Sequence, residues 1–147
     1  MIPVVRIPRN IPVAPRRSGF ARWFWEGLEQ GVFETTGCEG CGKISFPPRK
    51  DCPKCGSQNY RFHELSGKGV LYSRTMVRMT PTSLIPLAPL SLGIVDLDEG
   101  VRLACALLDR KAPLKIGERV QIAAMRFNDG VLFGAQSADD TTTEPGK

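Results

Sequence analysis

Two cysteine pairs constrain this chain more than any other feature of its 147 residues. Cys38-Glu39-Gly40-Cys41 and Cys52-Pro53-Lys54-Cys55 give CxxC, ten residues, CxxC. Two residues between cysteines let one tight turn aim both sulfurs at a single ion, and two such turns complete a tetrahedron. Each second cysteine is followed by glycine, Gly42 and Gly56. Glycine can take the left-handed conformation that a knuckle turn needs, so that backbone N–H groups point at the thiolates. Lys43 and Lys54 offset part of the site's negative charge. The spacing points to Zn²⁺ held by Cys38, Cys41, Cys52 and Cys55, with a two-disulfide knuckle or redox pair, and iron, as the alternatives. Four thiolates leave no open position on the metal. The reading is therefore a structural ion, contributing on the order of 10 kcal/mol to folding of the ribbon at neutral pH.

The rest of the chain falls into punctuated segments. Residues 1–17 carry Pro3, Pro8, Pro12 and Pro15 and read as an extended Pro/Arg arm, because proline removes N–H donors and disfavours helix before it. Such an arm is either free or, through Ile2, Val4, Val5, Ile7, Ile11 and Val13, laid along a partner. Residues 18–35 form an aromatic helical segment. Ser18 can cap it, Phe20, Phe24 and Leu28 make a stripe, and Gly31 can stop it. Trp23 lies beside the stripe and Trp25 off it. Two Trp and two Phe within six residues exceed what one short helix buries alone. Phe20, Trp23, Phe24 and Trp25 either pack on the rest of the chain or anchor a protein interface. Residues 36–64 hold the metal ribbon. Residues 65–136 are all-β, with strand runs at Gly69–Met79, Ser91–Leu97, Val101–Leu108, Glu118–Phe127 and Val131–Ala135. Asp98-Glu99-Gly100 and Asn128-Asp129-Gly130 supply hairpin turns. Five short strands in about 70 residues suit a small closed barrel of the OB type. The stretch TPTSLIPLAPL, 80–90, reads as an unusually apolar loop, and 137–147 as a flexible tail. The fold expected is mainly β: an N-terminal helix, a four-cysteine ribbon and a C-terminal five-stranded barrel.

Charge and motifs narrow the function. The formal net charge is +5, yet Arg6, Arg9, Arg16, Arg17 and Arg22 carry all of it within residues 1–25, where no acid occurs. Residues 26–147 are formally neutral, and a Zn²⁺ with four thiolates makes them more negative by about two. A nucleic-acid groove needs clustered excess positive charge on the folded surface. The barrel offers few stacking aromatics, mainly Tyr72, Phe127 and Phe133. One histidine, His63, no GxSxG and no Gly-rich phosphate loop leave no nucleophile–base set. His63 reads as a solvated surface residue, Cys105 as a core thiol, and Asp96, Asp98 and Glu99 as turn chemistry. No apolar run approaches the ~18 residues of a membrane span. The opening MIPVVRIPRN lacks a secretory signal, so a cytoplasmic location is expected.

The ordered motifs resemble a known family. FWEGLEQGVF, CEGCGKISFPPRKDCPKCGS, GKGVLYSRTMV, LGIVDLDEGVRLACALLD and KIGERVQI are similar to the zinc-ribbon plus OB-fold proteins associated with acyl-CoA enzymes, long catalogued as a domain of unknown function. The resemblance covers about residues 20–136. Pro47-Pro48 between the cysteine pairs and the DLDEG turn make it specific. It implies a helical segment, a rubredoxin-like ribbon ligated by Cys38, Cys41, Cys52 and Cys55, and an OB barrel. It also implies a non-catalytic accessory subunit of a thiolase-superfamily enzyme of thiolase or aldolase type, with no catalytic residue of its own. A two-plus-two heterotetramer is the expected assembly, and acyl-CoA is reached through the complex. Arg22 and Arg49 are the candidates to meet CoA phosphates. Relative to the family, the arm is long, and LIPLAPL replaces a segment that more often holds an aromatic residue. The competing reading is a nucleic-acid-binding ribbon/barrel module; a free-standing small enzyme comes third.

Overall fold

A computed structural model describes residues 1–17 and 19–140. Ser18, named above as a helix cap, and residues 141–147 of the tail lie outside the described residues. The elements run β1 (Val4–Arg6), α1 (Arg22–Glu29), β2 (Glu34–Cys38), β3 (Ile44–Ser45), β4 (Tyr60–Glu64), β5 (Lys68–Val77), β6 (Leu90–Leu97), β7 (Arg102–Leu107), β8 (Arg119–Arg126) and β9 (Val131–Ser137). A 3-10 turn at Gly19–Ala21 leads into α1, and another spans Thr82–Leu87 inside the apolar loop.

Two sheets result. The ribbon sheet has order β3-β2-β4, all antiparallel. The larger sheet has order β1-β8-β5-β6-β7-β9 and closes because β9 pairs with both β7 and β8. The five expected barrel strands are all present, within one or two residues of the expected bounds. Alternation explains the core: Val101, Leu103, Cys105 and Leu107 are all buried, with Val95, Leu97, Val120, Ile122 and Val131 opposite them. At β5 a bulge between Leu71 and Ser73 lets Tyr72 turn outward while Leu71 stays buried.

The arm departs from both fates expected for it. It is extended, but β1 pairs in parallel with β8, Val4 opposite Ala124 and Arg6 opposite Arg126. Ile2 and Val5 are buried. Farther on, Ile11 N donates to Asp129 Oδ1 at 2.7 Å, and Arg17 meets Glu29 at 2.7 Å. The proline spacing gave extension correctly; it could not reveal that β8 has a free edge inside the same chain.

Helix α1 is shorter than the segment expected, with Ala21 at its N-cap and no side-chain cap bond. Phe24 and Leu28 are its buried positions. They join Phe33 and Leu65 in one hydrophobic core with the barrel residues, so the helix wedges ribbon and barrel together. No helix among the described residues is long and apolar enough to cross a membrane.

Candidate functional site

The four cysteines converge. Their sulfurs all lie within 4.8 Å of one another, with Cys38 Sγ 3.6 Å from Cys55 Sγ and Cys41 Sγ 3.5 Å from Cys52 Sγ. A tetrahedral Zn²⁺ at about 2.3 Å from each sulfur requires S···S separations near 3.8 Å, whereas a disulfide requires about 2.05 Å. The sulfurs stand at metal-ligand spacing, and all four are free thiols. Gly42 and Gly56 adopt φ of +75° and +74°, and their N–H groups donate to the carbonyls of Cys38 and Cys52 at 2.9 Å. Those turns aim further N–H groups at sulfur: Gly40 N to Cys38 Sγ at 3.3 Å and Lys54 N to Cys52 Sγ at 3.4 Å. The Cys41 N–H draws the Cys38 thiol down, and the Cys55 N–H lowers Cys52 to about 6. Cys55 goes the other way: the Ser57 N–H lowers it, but the neighbouring sulfurs, Cys38 foremost, and burial outweigh that and raise it to about 11, because four crowded sulfurs cannot all ionise without a cation between them. Cys105 behaves oppositely: burial pushes it up to about 12, as suits a core thiol.

The aromatic residues of α1 and of the turn before it, grouped in sequence as one interface set, separate into two clusters. Phe24 is 4% exposed and sits edge-on to Trp25 at 5.0 Å, Phe46 at 5.7 Å and Phe133 at 6.1 Å, with Phe33 at 6.0 Å. It is a core residue and cannot anchor a partner. Trp25 packs into the same inner cluster against Phe133. Phe20 lies on the other side, and Trp23 bridges the two clusters, edge-on to Phe24 at 6.4 Å and packed against the core. With Tyr60 and Phe62 they close a ring of four aromatics. The centroid separations are 6.2 Å for Phe20–Trp23, 4.6 Å for Trp23–Phe62, 6.0 Å for Phe62–Tyr60 and 5.7 Å for Tyr60–Phe20. Phe62 is 55% exposed, and the Lys50 ammonium lies 5.3 Å from the Phe20 ring centroid. Tyr60 and Phe62 were missed in the sequence reading. Their signal was the Tyr-Arg-Phe-His alternation, which puts both rings on one face of β4. His63, on the other face, is half-buried and stands opposite Thr35 rather than fully in solvent.

The two candidate CoA-binding arginines occupy different places. Arg22 is exposed on α1, 3.9 Å from Glu26. Arg49, whose backbone N–H donates to Thr36 Oγ1 at 2.8 Å, lines a cleft of about 370 Å³ between the ribbon and the β6–β7 turn, together with Lys43 and Arg102. The acids of that turn are engaged. Asp96 takes both prongs of Arg102 at 2.6 and 2.9 Å, Asp98 takes both prongs of Arg119 at 2.8 and 2.7 Å, and Glu99 accepts the Ser66 N–H at 2.7 Å. The arginine partners hold Asp96 and Asp98 below the usual carboxylate range.

Comparison with known proteins agrees with this geometry. Residues 25–61 match the family model of the ChsH2 rubredoxin-like zinc ribbon domain, and residues 62–125 that of the ChsH2 C-terminal OB-fold domain. Four-sulfur sets also suit iron; the ribbon matched is a zinc ribbon, and the site is that of a structural Zn²⁺. A DUF35 domain-containing scaffold protein of Methanocaldococcus jannaschii is 35% identical over 102 residues, covering 65% of this chain and 72% of that protein. The benzoylsuccinyl-CoA thiolase subunit BbsA of Thauera aromatica is 26% identical over 92 residues, 63% of this chain and 62% of that subunit. A solved structure described as an Ltp2-ChsH2(DUF35) aldolase superposes with a TM-score of 0.72 at 26% identity, covering 85% of this chain and 99% of that one.

Proposed function

This chain belongs to the DUF35 family of ChsH2-type zinc-ribbon/OB-fold proteins, and from that membership we propose that it is a non-catalytic accessory subunit docked on a thiolase-type acyl-CoA enzyme. Bond-making or bond-breaking between carbons, of thiolase or aldolase type, belongs to the partner, and the assembly is two-plus-two. The observation that carries the reading is the four-ring surface of Phe20, Trp23, Tyr60 and Phe62. Rigid aromatics presented beside a closed metal site suit a protein anchor rather than chemistry at the metal. The relatives named as a scaffold protein, a thiolase subunit and part of an aldolase support it. Arg49, which shares a cleft with Lys43, is the proposed contact for a CoA phosphate; Arg22 has Glu26 as its neighbour instead.

The nucleic-acid reading loses its stacking platform. Phe127 is buried, Phe133 packs in the inner cluster, and the ring of Tyr72 is covered by the Arg102 guanidinium at 3.8 Å. The test is a tagged pull-down of the full chain from its native cell, with nuclease treatment and moderate salt. A near-stoichiometric thiolase-type protein, lost when Phe62→Ala is used as bait, is the expected result. Recovery of nucleic acid alone, or of the chain by itself, sinks the proposal.

A further inference from the structure

The barrel carries a second bare surface, on the outward side of β6 and β7. This is the side of the second and third barrel strands, where OB barrels take up oligonucleotides and oligosaccharides. Such sites use stacking rings, cations and hydrogen-bonding groups. Here the outward positions are aliphatic. Leu92 stands opposite Ala106 and Ile94 opposite Ala104, while Gly93, Val95, Leu103, Cys105 and Leu107 point into the core. Across β5, Thr75 lies next to Leu92, and Tyr72 is 54% exposed. Beyond the strand ends, Met79 is 93% exposed and Ile85 58%. The charged pair at the far end, Asp96 with Arg102, is closed on itself. The centre of the face is apolar, with charge only at its ends, in the exposed Arg78 past β5 and the closed Asp96–Arg102 pair, whereas a phosphate backbone requires clustered excess positive charge.

We infer that this face is a second docking surface, covered by an apolar surface of the same thiolase-type subunit that the aromatic ring engages. This rests on the accessory-subunit reading above. Two observations select that occupant. The surface is continuous with the aromatic one: Lys50 stands over Phe20, its neighbour Arg49 lines the ribbon cleft with Arg102, and Arg102 stacks on Tyr72 at the start of the barrel face. Size also requires it. A stable interface takes about 800 Å² from each side, and four rings of 150–250 Å² apiece, of which only Phe62 is half exposed, supply well under half of that. The barrel face completes the footprint.

The test uses methionine oxidation as a footprint on the unmutated chain, alone and in the complex recovered by pull-down. Met79 oxidises readily in the free chain, and Met125 (6% exposed) reports that the barrel stays folded. In the complex, Met79 should oxidise about tenfold more slowly while Met125 is unchanged. In parallel, Leu92→Glu should reduce recovered partner by about tenfold, because it buries an unpaired charge at the interface. Unchanged methionine oxidation in a complex that does form overturns the second surface and leaves the accessory reading standing. Failure of the unmutated chain to retain any thiolase-type protein overturns both. Protection of Met79 that instead appears in the isolated chain as its concentration rises makes the occupant a second copy and overturns the assignment to the enzyme.

Discussion

Replacing Phe24 by alanine should unfold this protein far more readily while leaving its partner surface intact. Phe24 is 4% exposed and is the hub of the inner cluster, where α1 meets the ribbon through Phe33 and Phe46 and the barrel through Phe133. A buried Phe→Ala costs about 3–5 kcal/mol from lost transfer energy and the cavity left behind. The four edge-on rings around it, Trp23, Trp25, Phe46 and Phe133, place the substitution toward the upper end, since each such pair adds about 0.5–1.5 kcal/mol beyond area burial. At about 2–4 °C per kcal/mol for a chain of this size, the midpoint of thermal unfolding should fall by roughly 10–15 °C. Phe62→Ala is the control. That ring is 55% exposed, so its removal should cost about 1 kcal/mol or less yet abolish recovery of the partner. The assay is thermal unfolding followed by Trp fluorescence at fixed excess zinc, alongside the pull-down. If Phe24→Ala shifts the midpoint by less than about 3 °C, or if Phe62→Ala destabilises as much as Phe24→Ala does, the division into inner and outer aromatic clusters is wrong.

Cys52→Ser, or a strong chelator, should release the zinc and strip hydrogen-exchange protection from β2 and β4 while β6–β9 stay protected, because the ribbon sheet buries Thr35 and Thr36 rather than an apolar core of its own. Loss of barrel protection at the same chelator concentration would contradict this. Burial alone would raise the Asp109 carboxyl, but the Leu114 N–H, the Ser91 hydroxyl and Arg74 outweigh it and hold it below the usual range. A lowered folded value gives stability that is present above the unfolded carboxylate pKa of about 4 and lost as pH falls through the folded one. Asp109→Asn should therefore cost about 1–3 kcal/mol at neutral pH and flatten the acid limb of the stability curve, measured by urea unfolding from pH 7 to 2. Gly69→Ala should destabilise by about 1–3 kcal/mol, because its Cβ would run into the Asp96 carbonyl oxygen on the neighbouring strand; a neutral result in the same unfolding assay would refute a close β5–β6 approach at this position.

What could be read from sequence was whatever depends on local spacing. CxxC pairs followed by glycine dictate knuckles, since two intervening residues and a left-handed glycine fix the sulfurs within one turn of chain. Alternation at Val101, Leu103, Cys105 and Leu107 fixed which side of β7 faces inward, because a strand has period two. The hairpin residues Asp98-Glu99-Gly100 and Asn128-Asp129-Gly130 placed the turns. Everything that joins residues far apart had to wait for the tertiary structure. Nothing near Val4 says that β8 offers a free parallel edge, so the arm looked detached. Nothing within FARWFW separates Phe24 from Phe20, because the division is made by Phe46 and Phe133 on one side and by Tyr60 and Phe62 on the other. The sequence by itself determined the metal centre, the five barrel strands and the inward face of β7, all consequences of neighbours along the chain. Tertiary structure decided which aromatic and aliphatic side chains were left at the surface, because exposure is a property of what packs against a residue, and those contacts come from 20 to 120 positions away.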